Sequence, residues 1–378
     1  MATFNYRQLL NPKKTTTATL TPFDREKHLT FGTGDGMMKY QKRTEEEKRK
    51  VPIYFGQAKL GFMLLQFINT FYDPVEHKDA IILYIGAAPG INIAVVAKMY
   101  PMIHFELYDS SVFSDSVYEC KNIKVNGKLF EEEDVKIWKE KREEGKNIFL
   151  VSDIRNTDYK VYFNSTREQQ QRNDNLVIVD MRLQENWVIN IDPICASLKF
   201  RLPWYEDWSP KGSEIFNYLD GLVMPQVFES PTSSETRLIT FKSSDGVYKK
   251  RNWSTILYQD TCSYHNKITR TSVKFENILH SIDTKIELNS PIAIKLGLNN
   301  DFDSTISSVI ILDYLEKFNI NPTYESFYVI AKTLFDSFGK GIFWNYNLAG
   351  KRKNEKFAKE DGSILDQNRK QNGIDSEE

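Results

Sequence analysis

Two lysines and two carboxylates, Lys59, Asp153, Lys199 and Glu235, are spread along the chain around a glycine-rich turn, Ile85-Gly86-Ala87-Ala88-Pro89-Gly90. Amines and carboxylates gathered at one point can orient a hydroxyl and help to remove its proton. The turn follows an apolar run, Ala80-Ile81-Ile82-Leu83-Tyr84-Ile85, and opens into a helix-like stretch, Asn92 to Met99. A buried strand, a glycine turn and a helix N-terminus form the part of an α/β fold where a nucleotide-like ligand sits. The combination points to group transfer onto a hydroxyl beside such a ligand.

The residues differ in how much each says alone. Gly86 and Gly90 let the backbone approach a ligand with no Cβ in the way, and Pro89 stiffens the turn. Asp109 ends the next apolar segment about 20 residues on, a spacing suited to a ribose diol, although a helix N-cap reads the same way. Asp153, in Val151-Ser152-Asp153-Ile154-Arg155, falls at a strand end and would equally serve as a turn cap. Lys199 interrupts a strand-forming run, where lost solvation disfavours its charge. The plainer reading is an edge lysine reaching water. Glu235, before Arg237-Leu238-Ile239-Thr240-Phe241, reads on its own as a surface carboxylate.

The elements that must hold these residues are visible as periodicity. Gln57 to Phe71 carries Leu60, Met63, Leu64, Phe67 and Ile68 at helical spacing, with Lys59 near the start. Strands are expected at 80–85, 105–108 and 147–152, a helix within Leu176 to Ile191, and closely spaced strands at 197–202, 219–228 and 237–242. Strand–helix alternation followed by a strand-rich end fits an open, mostly parallel α/β sheet with an antiparallel edge. Ser304–Phe318 and Tyr324–Phe338 are helix-capable and expected to pack on the sheet. Residues 1–38 read as a loosely ordered arm, 39–345 as the folded domain with a C-terminal helical elaboration, and 346–378 as a disordered polar tail. Lys42 to Lys50 is a charge run, read as a solvated helix or linker.

With 378 residues the chain can bury a sizeable core, and 50 Lys+Arg against 51 Asp+Glu leave it near neutrality. That balance argues against a whole-protein electrostatic sponge for nucleic acid, yet allows a local basic groove from Lys249-Lys250-Arg251 with Lys267, Arg270 and Lys274; a solvated loop is the other reading. Three widely spaced cysteines imply no disulfide framework, and five histidines show no metal-ligand spacing. No signal peptide or membrane span is read, so the expectation is a soluble intracellular protein with no membrane partner.

Taken together, five blocks resemble one family: Gly56-Gln57-Ala58-Lys59-Leu60, Leu83 to Gly90, Val151 to Arg155, Ala196-Ser197-Leu198-Lys199-Phe200-Arg201 and Ser234-Glu235-Thr236-Arg237-Leu238. The chain resembles the poxvirus-type cap-specific mRNA (nucleoside-2′-O-)-methyltransferases, which double as the small regulatory subunit of poly(A) polymerase. The blocks keep the family's order from roughly Tyr40 to Lys274.

The resemblance implies a Rossmann-like class I S-adenosylmethionine-dependent methyltransferase fold, with a seven-stranded-type sheet and helices on both faces. It implies a catalytic tetrad of Lys59, Asp153, Lys199 and Glu235, S-adenosylmethionine as cofactor and no required metal. Cofactor contacts carried over by motif are Gln57, Tyr84, Gly86, Gly90, Asp109 and Arg155. Ser111 stands where the family has an arginine, which puts one cofactor contact in doubt. Trp204 and Tyr40 fall at the two aromatic positions that stack an N7-methylguanine cap, whose delocalised charge favours such a sandwich. Glu206 falls at an acidic cap contact and Asp260 is a second candidate. The implied partners are capped mRNA and a poly(A) polymerase catalytic subunit. The implied source is a large cytoplasmic DNA virus, hence a cytoplasmic location, in a viral factory or virion. Cap-independent RNA 2′-O-methylation and a purely regulatory role in polyadenylation are the alternatives.

Overall fold

The computed structural model describes residues 37–40, 56–156, 166–205, 209, 212–229, 233–270, 302–321 and 323–338. The expected Lys42–Lys50 element, the tail from 346 and all but Met37 and Met38 of the expected N-terminal arm lie outside these residues.

Helix α1 (Gly56–Phe71) leads into β1 (Ile81–Ile85), the glycine turn and α2 (Ile91–Met99). There follow β2 (His104–Tyr108), the short α3 (Asp115–Tyr118), β3 (Ile123–Asn126), α4 (Glu132–Glu143) and β4 (Ile148–Ser152). Helix α5 (Arg167–Ile191) starts at a capping box in which Thr166 and Gln169 satisfy each other's backbone N–H, and it leads to β5 (Cys195–Phe200). The strand-rich end comprises β6 (Ile215–Leu219), β7 (Leu222–Met224), β8 (Thr236–Phe241) and β9 (Lys250–Ser254). Helix α6 (Thr255–Tyr264), continued by a π-helical turn His265–Thr269, and helices α7 (Phe302–Lys317) and α8 (Tyr324–Phe338) complete the described chain. Among the described residues no helix is long and apolar enough to cross a membrane.

The main sheet has seven strands in the order β3-β2-β1-β4-β5-β8-β7. Strands β3, β2, β1, β4 and β5 are mutually parallel, whereas β8 runs antiparallel to β5 and to β7. The order reverses between β1 and β4, so the crevice beyond their carboxyl ends is the switch point where open α/β sheets bind ligands. This is the mostly parallel sheet with an antiparallel edge that the spacing of apolar segments implies, and it has the seven strands that the resemblance implies.

Period-2 alternation sorts the strand residues onto two cores. Ile82, Tyr84, Phe149, Val151, Cys195 and Ile239 join α1, α2, α7 and α8 on one face. Leu83, Ile85, Ile148, Leu150, Ala196, Leu198 and Phe200 join α4, α5 and the antiparallel β6–β9 pair on the other. Both faces are thus covered, which is why β1 and β4 read as unbroken apolar runs.

Three details differ from the sequence reading. Strand β3 and helix α4 were not foreseen: β3 is a four-residue, half-exposed edge strand without an apolar run, and α4 buries little beyond Asp134, Val135 and Trp138. The single strand expected over 219–228 is broken at Asp220-Gly221, where a Cβ on Gly221 would meet the Ile239 carbonyl oxygen at 2.3 Å. Strand β6 therefore pairs with β9 in a separate ribbon, and only β7 joins the main sheet. Arg270 belongs to no basic groove: it is buried, with one guanidinium nitrogen donating to both Asp303 oxygens at 2.7 Å. Lys274 lies outside the described residues.

Candidate active site

The glycine turn is built on backbone that a side chain would disturb. Gly86 has φ +79°, and a Cβ there would meet the Ile154 nitrogen at 2.9 Å and the Asp153 carbonyl carbon at 3.0 Å. Gly90 has φ +75°, and its Cβ would meet Val117 at 2.8 Å. The turn is tied to its neighbours: Gly86 N–H donates to the Tyr108 carbonyl, and Asp153 N–H to the Ile85 carbonyl. Asp109, just beyond β2, accepts from the Ala88 N–H at 3.0 Å through one oxygen and from the Ser111 N–H at 2.8 Å through the other. Gln57 Oε1 accepts from the Asn92 N–H at 3.2 Å, linking the start of α1 to that of α2. Tyr84 is buried in β1, and desolvation followed by the Asp153 charge raises its phenol above the ordinary value. These five positions therefore line or brace one cradle.

The four charged residues foreseen from sequence converge beside it. Lys199 shares strand parity with Cys195, so it points to the α1 face, where Lys59 waits on the buried side of its helix. Lys199 Nζ lies 3.4 Å from Asp153 Oδ1 and 3.5 Å from Glu235 Oε2. Lys59 Nζ lies 3.1 Å from the other Glu235 oxygen. Glu235 thus bridges the two lysines, one on each oxygen. Burial works to raise the Asp153 carboxyl, but Lys199 and Arg237 outweigh it and hold it below the ordinary value. Glu235 is held well below its ordinary value: burial opposes, and the charges of Lys199, Lys59, Arg155 and Arg237 prevail. Both carboxylates are ionised across the neutral range.

Further residues complete the cluster without having been read from the sequence. Arg237 is 2 % exposed and donates to Asp153, to the Ser152 carbonyl at 2.8 Å and to Gln226 Oε1 at 3.1 Å. Its signal was available, since a charge at the same strand parity as the core residue Ile239 cannot be a surface charge. Gln226 donates to Glu229 at 3.1 Å and to the Glu235 carbonyl at 3.2 Å. Glu229 takes the closer contact to Lys59, 2.7 Å, and lies in a loop whose sequence carries no periodic signal. Arg155, named from the resemblance as a cofactor contact, lies 3.6 Å from Glu235 and 3.9 Å from Asp180, so it flanks the tetrad.

The aromatic pair is also brought together. The Tyr40 and Trp204 ring centroids are 4.4 Å apart with their planes at 52°. Asp260 accepts from the Tyr40 N–H at 3.2 Å, and its carbonyl accepts from the Met38 N–H at 3.1 Å, so α6 anchors the segment that carries Tyr40. Glu206 lies outside the described residues.

Chemically, the arrangement offers a weak nucleophile two ammonium groups held by ionised carboxylates, next to a glycine turn that the carboxylate of Asp109 braces. The chain is also similar to known proteins. The cap-specific mRNA (nucleoside-2′-O-)-methyltransferase of fowlpox virus (strain NVSL) is 24% identical over 300 residues, covering 76% of this chain and 83% of that protein. The protein of the same name from myxoma virus (strain Lausanne) is 25% identical over 238 residues, 62% of this chain and 65% of the relative. A solved chain of bluetongue virus VP4, described as a multifunctional RNA-capping production line, superposes with a TM-score of 0.39 at 12% identity, over 63% of this chain and 34% of that one. The sequence model of the family described as the poly(A) polymerase regulatory subunit matches residues 24–313, well over half of the chain, which therefore belongs to that family.

Proposed function

We propose that this protein is a cap-specific mRNA 2′-O-methyltransferase, moving the methyl of S-adenosylmethionine to the ribose of the first transcribed nucleotide of N7-methylguanosine-capped RNA. The observation that carries this reading is the convergence of Lys59, Asp153, Lys199 and Glu235 at the sheet's switch point. The relatives named for this activity support it.

The residues present fit the cofactor: Asp109, just beyond β2, offers the carboxylate a ribose diol needs, and Gly86 and Gly90 hold the neighbouring turn in a left-handed conformation that side chains rarely adopt. Gln57, Tyr84, Gly86, Gly90, Asp109 and Arg155 would hold it, and when bound it supplies an electrophilic methyl group. The protein's own task is then the hydroxyl. A ribose 2′-hydroxyl is a poor nucleophile near neutrality, so it must be oriented and relieved of its proton. Lys199 faces that oxygen, taking the proton or stabilising the developing alkoxide. Asp153 and Glu235 aim the Lys199 amine, and Lys59 adds a second positive charge. Tyr40 and Trp204 stack the cap base, whose charge an unmethylated guanine lacks. The cytoplasm is the compartment this reading assigns.

The test is methyl transfer from labelled S-adenosylmethionine to RNAs bearing an N7-methylated cap, an unmethylated cap or none, with the product mapped to the ribose. Transfer confined to the N7-methylated substrate is expected. Equal transfer to uncapped RNA would favour a cap-independent enzyme.

A second role is favoured by the family description. A poly(A) polymerase catalytic subunit is the partner it indicates, and co-purification with a candidate polymerase tests it.

A further inference from the structure

Lys59 is held by two carboxylates, and the nearer one is outside the tetrad. Glu229 Oε2 lies 2.7 Å from Lys59 Nζ, against 3.1 Å for Glu235, and the same oxygen accepts from Gln226 at 3.1 Å. Glu229 is 8% exposed, so this pairing is not a solvent-exchanged surface bridge. It sits in the connection between β7 and β8, directly after Phe228, whose φ is +56°. A bulky residue in the left-handed region is a strained outlier and persists only where the surroundings over-determine it.

Those surroundings are visible. The Phe228 N–H donates to Asp303 Oδ1 at 3.0 Å, and Arg270 donates to the Glu229 carbonyl at 2.8 Å. Arg270 and Asp303 are in turn joined by the paired 2.7 Å contacts, both nearly buried. The Phe228 ring packs on Phe62 of α1 at 5.7 Å, one turn beyond Lys59. One ion pair, contributed by the end of the π-helical turn and the first turn of α7, therefore clamps both sides of the strained peptide that turns Glu229 toward Lys59.

We propose that Glu229 is a positioning residue for Lys59, and that the buried Arg270–Asp303 pair is the clamp that aims it. The C-terminal helix α7 thereby takes part in setting the active-site amine. The assignment rests on the 2′-O-methyltransferase reading for its consequence, though not for its geometry. Neutralising Glu229 removes the nearer of these two carboxylates from Lys59 and loosens the hold on its amine, while the cofactor cradle is untouched.

The experiment pairs Glu229→Gln with Lys59→Met in a double-mutant cycle on the full chain. A lost hydrogen bond to a charged group corresponds to a fall in kcat of about ten- to a hundredfold for Glu229→Gln. The KM for capped RNA and the Kd of S-adenosylhomocysteine should stay within about twofold. In the Lys59→Met background the same change should cost almost nothing, because the residue it acts through is gone. Asp303→Asn should show the same pattern more weakly, and Glu229→Asp should recover part of the rate. A second readout needs no turnover: Lys59 should be acylated faster by an amine-directed reagent in Glu229→Gln than in the wild type, with other lysines unchanged. Equal loss in both backgrounds, or unchanged Lys59 labelling, overturns the proposal. A wild-type chain inactive on capped RNA would overturn the functional reading alone, with labelling still deciding the positioning role.

Discussion

Trp204→Ala gives the sharpest test of cap recognition. In the structure the Tyr40 and Trp204 rings touch each other, with centroids 4.4 Å apart. A base sandwiched between two aromatic faces needs about 3.5 Å on each side, so the rings must stand about 7 Å apart when it is bound. The slot therefore has to open by more than about 2 Å, and opening gives up one aromatic contact of about 0.5–1.5 kcal/mol. The base returns two stacking contacts, and its positive charge adds about 0.5–2 kcal/mol over a neutral guanine. Because Asp260 holds the Tyr40 backbone from α6, the opening falls to the side chains, chiefly rotation of the Tyr40 ring.

Removing the indole leaves one stacking face. The selective part of the interaction then falls by about 1 kcal/mol or more, which is about a five- to tenfold loss of preference for the N7-methylated cap. The loss belongs in KM, because neither ring touches the reacting oxygen. The assay measures kcat and KM on otherwise identical RNAs with methylated and unmethylated caps, in wild type, Trp204→Ala and Trp204→Phe. Trp204→Phe should retain most of the preference. An unchanged ratio of kcat/KM between the two caps in Trp204→Ala would refute the stacking assignment. A fall confined to kcat would place Trp204 in the chemistry instead.

Two further outcomes follow from the backbone and from a buried imidazole. Gly86→Ala combines a left-handed backbone, costing about 1–2 kcal/mol, with a Cβ driven against the backbone of Asp153 and Ile154, so both stability and S-adenosylhomocysteine binding should fall. Gly145→Ala is the control, since Gly145 has φ +89° but open space around it and should lose stability only; calorimetric binding equal to wild type in Gly86→Ala would be inconsistent with the cradle. Burial, then the Arg270 charge, pushes the His265 imidazole down to about 3, so it stays neutral in the fold while the unfolded chain takes up its proton below about pH 6.5. Stability should therefore fall as pH drops from about 6.5, by on the order of 2 kcal/mol by pH 5, above the range where Asp153 and Glu235 are protonated. Urea unfolding at both pH values measures this, and the same slope in His265→Gln would assign the loss elsewhere.

Much of this fold was legible because its central strands are buried on both faces. Runs such as 81–85 and 148–151 leave no charged or strongly polar residue to obscure the pattern, and the glycine turn marks where the first one ends. The edge escaped notice for the same physical reason in reverse. Strand β3 is half solvated and short, so it carries neither an apolar run nor strict alternation. The break at Asp220-Gly221 did carry a local signal, an Asp-Gly turn dipeptide between two apolar runs, which the reading of 219–228 as one strand passed over.

The site was legible only in part. Lys199 and Lys59 were joined through the resemblance, and strand parity and helix phase account for their meeting on one face, whereas Glu229 carried no such signal, because its direction is set by a strained peptide that two distant residues clamp. That difference bears on how the site should be probed. Lys59, Lys199, Arg155 and Arg237 face Asp153, Glu235, Glu229 and Asp180, so the cluster is close to charge balance before any substrate enters. Deleting one member leaves an uncompensated buried charge, which costs about 3–5 kcal/mol of stability whatever the residue does in catalysis. A lost rate in Lys59→Ala or Asp153→Ala is therefore ambiguous by construction. Neutralising partners together, as in Lys59→Met with Glu229→Gln, removes one charge of each sign. If the balance argument holds, that double variant should be more stable than Lys59→Met alone while remaining as slow. A double variant less stable than either single change would show that packing and hydrogen bonds, rather than charge balance, hold the cluster together.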